Sequence, residues 1–330
     1  MIFFRKFLVI FTFVSCSIQV FSQDSATPDK RLICSALNGL CNRLRNLASC
    51  AVLAEHSGRE LVVCWMNEKN INDCKTIGFT QWSDLFDSPR FQLITLWPKE
   101  GVIFGGNPSY GSPYLTQRWL ERIPSHTYIE EAWYSQSHLP GAENEIDISL
   151  PDKNVIVHTI HNVKPMDMSE NEFYERKKGF YNKLVPIPSI AKTVQRISSH
   201  FPSDIVGVHV RTTDMLQVHK KENAAIWKYM EYMKEEIAKN PNVKFFVSSD
   251  SKLVLRHFRK YFKGKVFFND QVEFNSHGEV ERGTVKATQN ALIDLILLSK
   301  TKRLIGTRFS SFSYEAACMG GIPIVNEVVH

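Results

Sequence analysis

Residues 31–65 read RLICSALNGLCNRLRNLASCAVLAEHSGRELVVCW. Arg31 to Ala36 is a short, largely apolar run of the kind a buried strand needs, and the turn pair Asn38-Gly39 follows it. From Leu40, apolar residues recur at spacings of three and four (Leu40, Leu44, Leu47, Ala51, Ala54), the period of a helix with one buried face. Gly58 is placed to stop that helix, and Glu60 to Trp65 is a second strand. Strand, turn, helix, strand is a βαβ unit, so a parallel sheet is expected in the first half of the chain.

The second half extends the pattern. Strands are expected at Ile205–Val210, Lys244–Ser248, Lys265–Phe268, Arg303–Gly306 and Ile322–Val325, with helices at Ile226–Lys239, Lys252–Phe262, Thr288–Ser299 and Ser311–Met319. Regular alternation of this kind is a doubly wound α/β domain. Between the halves, residues 66–150 are rich in Trp, Pro, Gly and Tyr and show no clean period. Asn154–Ile160 reads as one more strand. Pro186 and Pro188 mark a hinge before a helix at Ser189–His200. The expected organisation is a leader at 1–22, one Rossmann-like domain at 23–188 and a second at 189–330, facing each other across a cleft.

Composition narrows the function classes. The chain has 330 residues, 43% of them hydrophobic and 22% charged, which excludes a disordered or fibrous protein. Its net charge of +6 suits an anionic small molecule but is too small and dispersed for a nucleic-acid-binding arm. Met1 to Ser22 has a basic start (Arg5, Lys6) and an apolar run from Phe7 to Val14, which fits a secretory signal peptide or a signal anchor. The run is shorter than the ~20 residues a span needs, so cleavage is favoured and no stable membrane span is expected. The destination would be the ER or Golgi lumen, or the exterior. Six cysteines follow the leader, and disulfides are expected among the five between Cys34 and Cys74. No CxxC pair supports a zinc site.

Ligands of open α/β sheets sit at the carboxyl ends of strands. VGVHVRTTD (206–214) carries His209 and Arg211 to a strand end with Asp214 beyond. An arginine there can grip a phosphate bidentately, or form a loop ion pair with Asp214. IGTRFSSFSY (305–314) runs from a strand through a hydroxyl-rich turn into a helix. Thr307, Ser310 and Ser311 could form an anion site with the helix amides, or Ser310 or Ser311 could simply cap it. Asp250, after a strand, suits a ribose or base, or the N-cap of the next helix. Asp294 stands among Leu292, Ile293, Leu295 and Ile296, so its carboxylate needs partners; a guanine edge would supply two donors, and backbone would serve equally. In the first half, Asn38 to Arg45 has the outline of a phosphate loop without either standard glycine motif. Arg43 and Arg45 at a helix start oppose its dipole, which points to an anionic ligand or to solvent.

Together these stretches resemble the GT-B fucosyltransferases, which comprise the protein O-fucosyltransferases and the α1,6-fucosyltransferases, including the bacterial nodulation enzymes. GVHVRTTD is similar to the HxR(R)TD motif, IGTRFSSFSYEA to the IGxxxSxFS segment, and NGLCNRLRNLASCAVLAEHSGRELVVCW to the N-terminal G-x-x-N loop, helix and strand. FTQWSDLFD and ALIDLILLSKTKRLIGT complete the series, and the likeness covers about residues 32–86 and 204–321.

The resemblance implies an inverting transfer of L-fucose from GDP-fucose to a glycan or protein hydroxyl, with no metal. Arg211 would bind the β-phosphate, and His209 and Asp294 would flank guanine. Asp250 and Asp214 would stand near the nucleotide, while Thr307, Ser310 and Ser311 would bind phosphate. Asn42 with Arg43, beside Asn38, would line the sugar and acceptor side. Two departures stand out. Thr212 occupies the position of a second arginine in the α1,6 enzymes, and the general base is either His219 or Glu222. Other readings of the same scaffold are transfer from another nucleotide sugar and a non-catalytic glycan-binding relative.

Overall fold

The computed structural model describes residues 30–36, 39–65, 80–94, 102–104, 127–129, 144–149, 154–212 and 222–328. The opening unit forms as read. Strand β1 (Arg31–Ala36) enters helix α1 (Leu40–Ser57), which returns the chain to β2 (Glu60–Trp65), parallel to β1 from Arg31↔Glu60 to Ala36↔Trp65. Gly58 ends α1 in the left-handed region at φ 64°, and its N–H reaches back to the last turn. A β-carbon is disfavoured there, which is why a glycine stops this helix. Twelve residues of α1 are buried, well beyond one face, because the helix lies between a sheet and other helices.

Four further strands complete the first sheet: β3 (Gln92–Ile94), β4 (Val102–Phe104), β5 (Thr127–Ile129) and β7 (Val155–His158), in the order β3-β2-β1-β7-β4-β5, all parallel. Short strands β6 (Asn144–Ile146) and β8 (Val163–Pro165) pair separately. Asn46 of α1 donates through Nδ2 to the carbonyls of Ser35 and Val157, tying β1 to β7 from within the core.

A helix that the sequence reading missed follows. In α2 (Glu170–Tyr181), Ser169 caps the start by accepting from the Glu172 amide, and Phe173, Lys177 and Tyr181 are buried at four-residue spacing. The proline-marked segment pairs with residues 85–87 through Asp87 N to Val185 O and Ile187 N to Leu85 O. Pro188 then opens α3 (Pro188–Ser198) at a position where the missing N–H costs nothing.

The second sheet is built from β9 (Val206–Val210), β10 (Phe245–Ser249), β11 (Val266–Phe267), β12 (Arg303–Thr307) and β13 (Ile324–Val328). Its order is β11-β10-β9-β12-β13, all parallel. The connecting helices are α4 (Glu222–Lys239), α5 (Lys252–Tyr261), α6 (Val285–Ser299) and α7 (Ser311–Gly320). One apolar core runs from the first sheet through α1, α6 and α7 to the second, while α4 and α5 cover the second sheet's other face. Because the strand order reverses between β9 and β12, the chain leaves those two strands in opposite directions. The gap between their carboxyl ends is where such a sheet takes a ligand.

The expected disulfides are not formed among the described residues. Cys34, Cys41, Cys50, Cys64 and Cys318 form no disulfide with one another, and Cys74 lies outside the described residues. The first four serve as small apolar side chains of β1, α1 and β2 packed in the core, rather than as loop staples. Among the described residues, no helix is long and apolar enough to cross a membrane.

Candidate functional site

Thr307, the last residue of β12, organises the reversal point. Its Oγ1 donates to His209 O at 3.0 Å and accepts the Arg211 N–H at 3.1 Å, which fixes the end of β9. With the Thr307 proton committed, the buried Tyr229 hydroxyl donates to the same oxygen at 2.7 Å. The Thr307 amide in turn donates to Ser313 Oγ at 3.0 Å, and that oxygen lies 2.8 Å from His209 Nδ1. Ser313 Oγ therefore accepts from Thr307 and holds the imidazole through Nδ1, fixing the orientation of the ring. The ring stacks on Phe312 at 4.7 Å and 18°. Helix α7 comes this close because of Gly306, where a β-carbon would sit 3.1 Å from Ser313 Cβ and Oγ.

The turn into α7 is strained. Phe309 has φ 61°, a conformation costly for a bulky residue, and its side chain is half exposed under the Arg308 guanidinium. Ser310 follows at the N-cap of α7, yet its hydroxyl makes no cap bond and is buried without a hydrogen-bond partner. Ser311 is the first helical residue. An uncompensated hydroxyl beside helix amides is an arrangement that an anion would complete.

Asp250 lies at the end of β10. It accepts from Thr212 through both the backbone N–H (2.8 Å) and the hydroxyl (3.2 Å), and from Arg282 Nη2 at 3.4 Å. It does not cap α5, where Ser251 holds that position. Asp294 on α6 is 6% exposed and accepts from Ser248 Oγ at 2.6 Å, while Oδ1 makes no hydrogen bond. Burial pushes its carboxyl up to about 6 against the pull of Ser248 and Asn269. The Asn269 amide favours the carboxylate through space without completing a bond to Oδ1.

The start of α1 forms the facing wall. Cys41 there is buried and feels the charges of Glu315, Arg45 and Arg211, which brings the first turn of α1 within electrostatic range of the β9 end. Burial pushes this thiol far above its ordinary range. Asn42 is half-buried, and Arg43 is 2% exposed with its guanidinium over Trp65 at 5.3 Å. Neither a ligand nor solvent accounts for Arg45: its Nε donates at 2.6 Å to the buried carboxylate of Glu315 on α7. Solvent is excluded for Arg43 as well.

The structure thus brings His209, Arg211, Asp250, Thr307, Ser310 and Ser311 to one edge of the second sheet, with Asp294 alongside on α6. Asn38, Asp214 and His219 lie outside the described residues, and Glu222 opens α4. Sequence reasoning did not single out Phe312, Ser313 or Tyr229 as members of the edge, and it took Thr212 only as a departure from the motif. Phe312 and Ser313 stand inside the quoted hydroxyl-rich turn, but only the fold reveals which of its hydroxyls meets the histidine.

The model of the NodZ family (nodulation protein Z) matches residues 166–319, which hold α2 and the whole second sheet apart from β13. The crystal structure of NodZ α1,6-fucosyltransferase co-crystallised with GDP superposes with a TM-score of 0.55 at 19% identity, covering 88% of this chain and 92% of that one. NodZ from Bradyrhizobium gives 0.51 at 20% identity over 88% and 93%, and POFUT1 in complex with GDP gives 0.52 at 12% identity over 92% and 99%. The chain has the fold of the GT-B fucosyltransferases. Both Rossmann-like sheets expected from the sequence belong to that GT-B architecture. A sequence comparison with curated proteins finds no match.

Proposed function

We propose that the chain is an inverting, metal-independent glycosyltransferase that moves L-fucose from GDP-fucose to a hydroxyl of a glycan or glycoprotein. The observation that carries this reading is the convergence of Arg211, Thr307 and the uncapped Ser310–Ser311 helix start at the β9/β12 reversal. A NodZ structure of the same fold was co-crystallised with GDP, and a diphosphate at this edge would meet all of these groups. Asp294 would accept from the guanine edge through its unfilled oxygen, and the His209 ring would stand beside the base.

The reaction follows from these groups. The acceptor hydroxyl attacks the anomeric carbon from the face opposite the diphosphate, a carbon–oxygen bond forms, and the bond to the β-phosphate oxygen breaks. The hydroxyl proton passes to a base, which is Glu222 at the opening of α4 or His219. GDP departs with the electron pair, and configuration inverts. Arg211 and the amides at the start of α7 stabilise the charge that grows on the leaving phosphate, the part a divalent cation plays elsewhere. The basic, apolar leader would route the enzyme through the secretory pathway.

The test is calorimetric titration of the chain with GDP, UDP and GDP-mannose, repeated on Arg211→Ala. GDP should bind and the variant should lose it by roughly 100-fold, the scale of removing a charge-assisted contact to phosphate. Preference for UDP would discard fucose and keep the transferase. Absence of any nucleotide binding would leave a glycan-binding relative.

A further inference from the structure

Arg282 lies outside every motif that points to the donor. It precedes α6 in a loop fastened over the end of β10: the Val280 amide donates to Asp250 O at 2.9 Å, and the Lys252 amide donates to Gly278 O at 2.8 Å. Ser251 bridges Glu279 in the same segment. The loop therefore has a defined seat, and it sets Arg282 Nη2 3.4 Å from Asp250 Oδ2. The other oxygen of Asp250 takes the Thr212 amide, and Thr212 adjoins Arg211, whose own amide is held by Thr307 at the start of the α7 turn. A continuous chain of contacts runs from the anion-binding end of α7 through Thr307, Arg211, Thr212 and Asp250 to Arg282.

The charges along this rim are uneven. A nucleoside diphosphate carries more than one negative charge, and of the groups assigned to it so far only Arg211 is a permanent cation. Thr212, next along the strand end, is uncharged. The Arg282 side chain is 40% exposed and its carboxylate partner 14% exposed, so the pair is a wet one at the cleft rim, weak enough to be re-partitioned by a stronger anion.

We propose that Arg282 is the second cation of the donor site. Asp250 presents its guanidinium toward the diphosphate while clamping the Arg211–Thr212 strand end with its other oxygen. The assignment rests on the nucleotide-donor reading above and adds to it a residue that no motif contains.

The experiment is titration of the full chain with GDP and with guanosine, for the wild type, Arg282→Ala, Arg282→Lys and Arg211→Ala. The expected result is that Arg282→Ala binds GDP roughly tenfold more weakly, binds guanosine unchanged, and regains most GDP affinity as Arg282→Lys. Unchanged GDP affinity in Arg282→Ala, with Arg211→Ala still impaired, overturns the role of Arg282 and leaves the donor reading intact. Equal weakening for GDP and guanosine also overturns it, since the contact would then serve the nucleoside or the loop. No GDP binding by the wild type removes the donor reading, and this inference with it.

Discussion

Arg45 on α1 and Glu315 on α7 meet at 2.6 Å although 270 positions separate them in the chain. Glu315 is 1% exposed, and its second oxygen accepts from Lys177 Nζ at 3.1 Å and from the Tyr181 hydroxyl, both on α2. Burial alone would raise its pKa, but Lys177 and Arg45 overcome burial and hold it below the usual carboxylate range. The cluster joins α7, whose start forms the proposed phosphate site, to α1, whose start forms the facing wall.

Glu315→Ala leaves the buried Lys177 and the half-buried Arg45 without their carboxylate, and the expected cost is about 3 kcal/mol in urea denaturation. The pH dependence has a definite sign. A carboxylate with a depressed native pKa contributes stability above its unfolded value, near 4.5, and loses it as pH falls through the native value. Wild type should therefore lose stability below about pH 4.5 more steeply than Glu315→Gln.

Thr307→Val removes an oxygen that serves the Arg211 amide, the His209 carbonyl and the Tyr229 hydroxyl together. Stranding buried polar groups should cost about 2 kcal/mol of stability. Because Arg211 loses its backbone anchor, GDP affinity should drop as well. A Thr307→Ser variant, which keeps the hydroxyl, should retain both, and melting curves with calorimetry in parallel check the pair.

Asp294 predicts opposite pH trends for folding and binding. Its native pKa, near 6, is above the ordinary 3.8, so the free protein loses stability as pH rises across that window. Guanine recognition needs the ionised form. GDP affinity should therefore fall below about pH 6, approaching tenfold per pH unit once the acid is protonated. Asp294→Asn should remove this residue's share of both trends, gaining stability at neutral pH while binding GDP poorly. A binding curve flat from pH 5 to 7 in the wild type would separate Asp294 from the base.

Phe309 sits at φ 61°, where any β-carbon is costly. Phe309→Gly should be about 1 kcal/mol more stable than Phe309→Ala, the reverse of the order in an ordinary turn. Equal stabilities in chemical denaturation would mean that the turn relaxes when the ring is removed.

Local pattern carried much of this protein. The β1, α1 and β2 unit, the turn at Gly58 and the alternation from β9 to β13 follow from periodicities and stop signals that neighbouring residues establish among themselves. Helix α2 escaped because one of its three buried positions is Lys177, which a reading of apolar spacing counts as exposed. Ser169 and Glu172, a capping pair in sequence, were the signal available. The clustering of the cysteines suggested bridges, whereas Cys34, Cys41, Cys50 and Cys64 take their places on β1, α1 and β2 in the core.

The sequence by itself placed His209, Arg211, Asp250 and Thr307 at or beside strand ends, to within one residue for those three strands, because a strand's limits follow its own hydrophobic run. Only tertiary structure decided what those residues meet. The partners of Arg45, the hydroxyl that orients His209 and the seat of Arg282 come from segments tens to hundreds of residues away. Such pairings depend on how layers stack, and a charged side chain has no periodicity that announces its counter-ion.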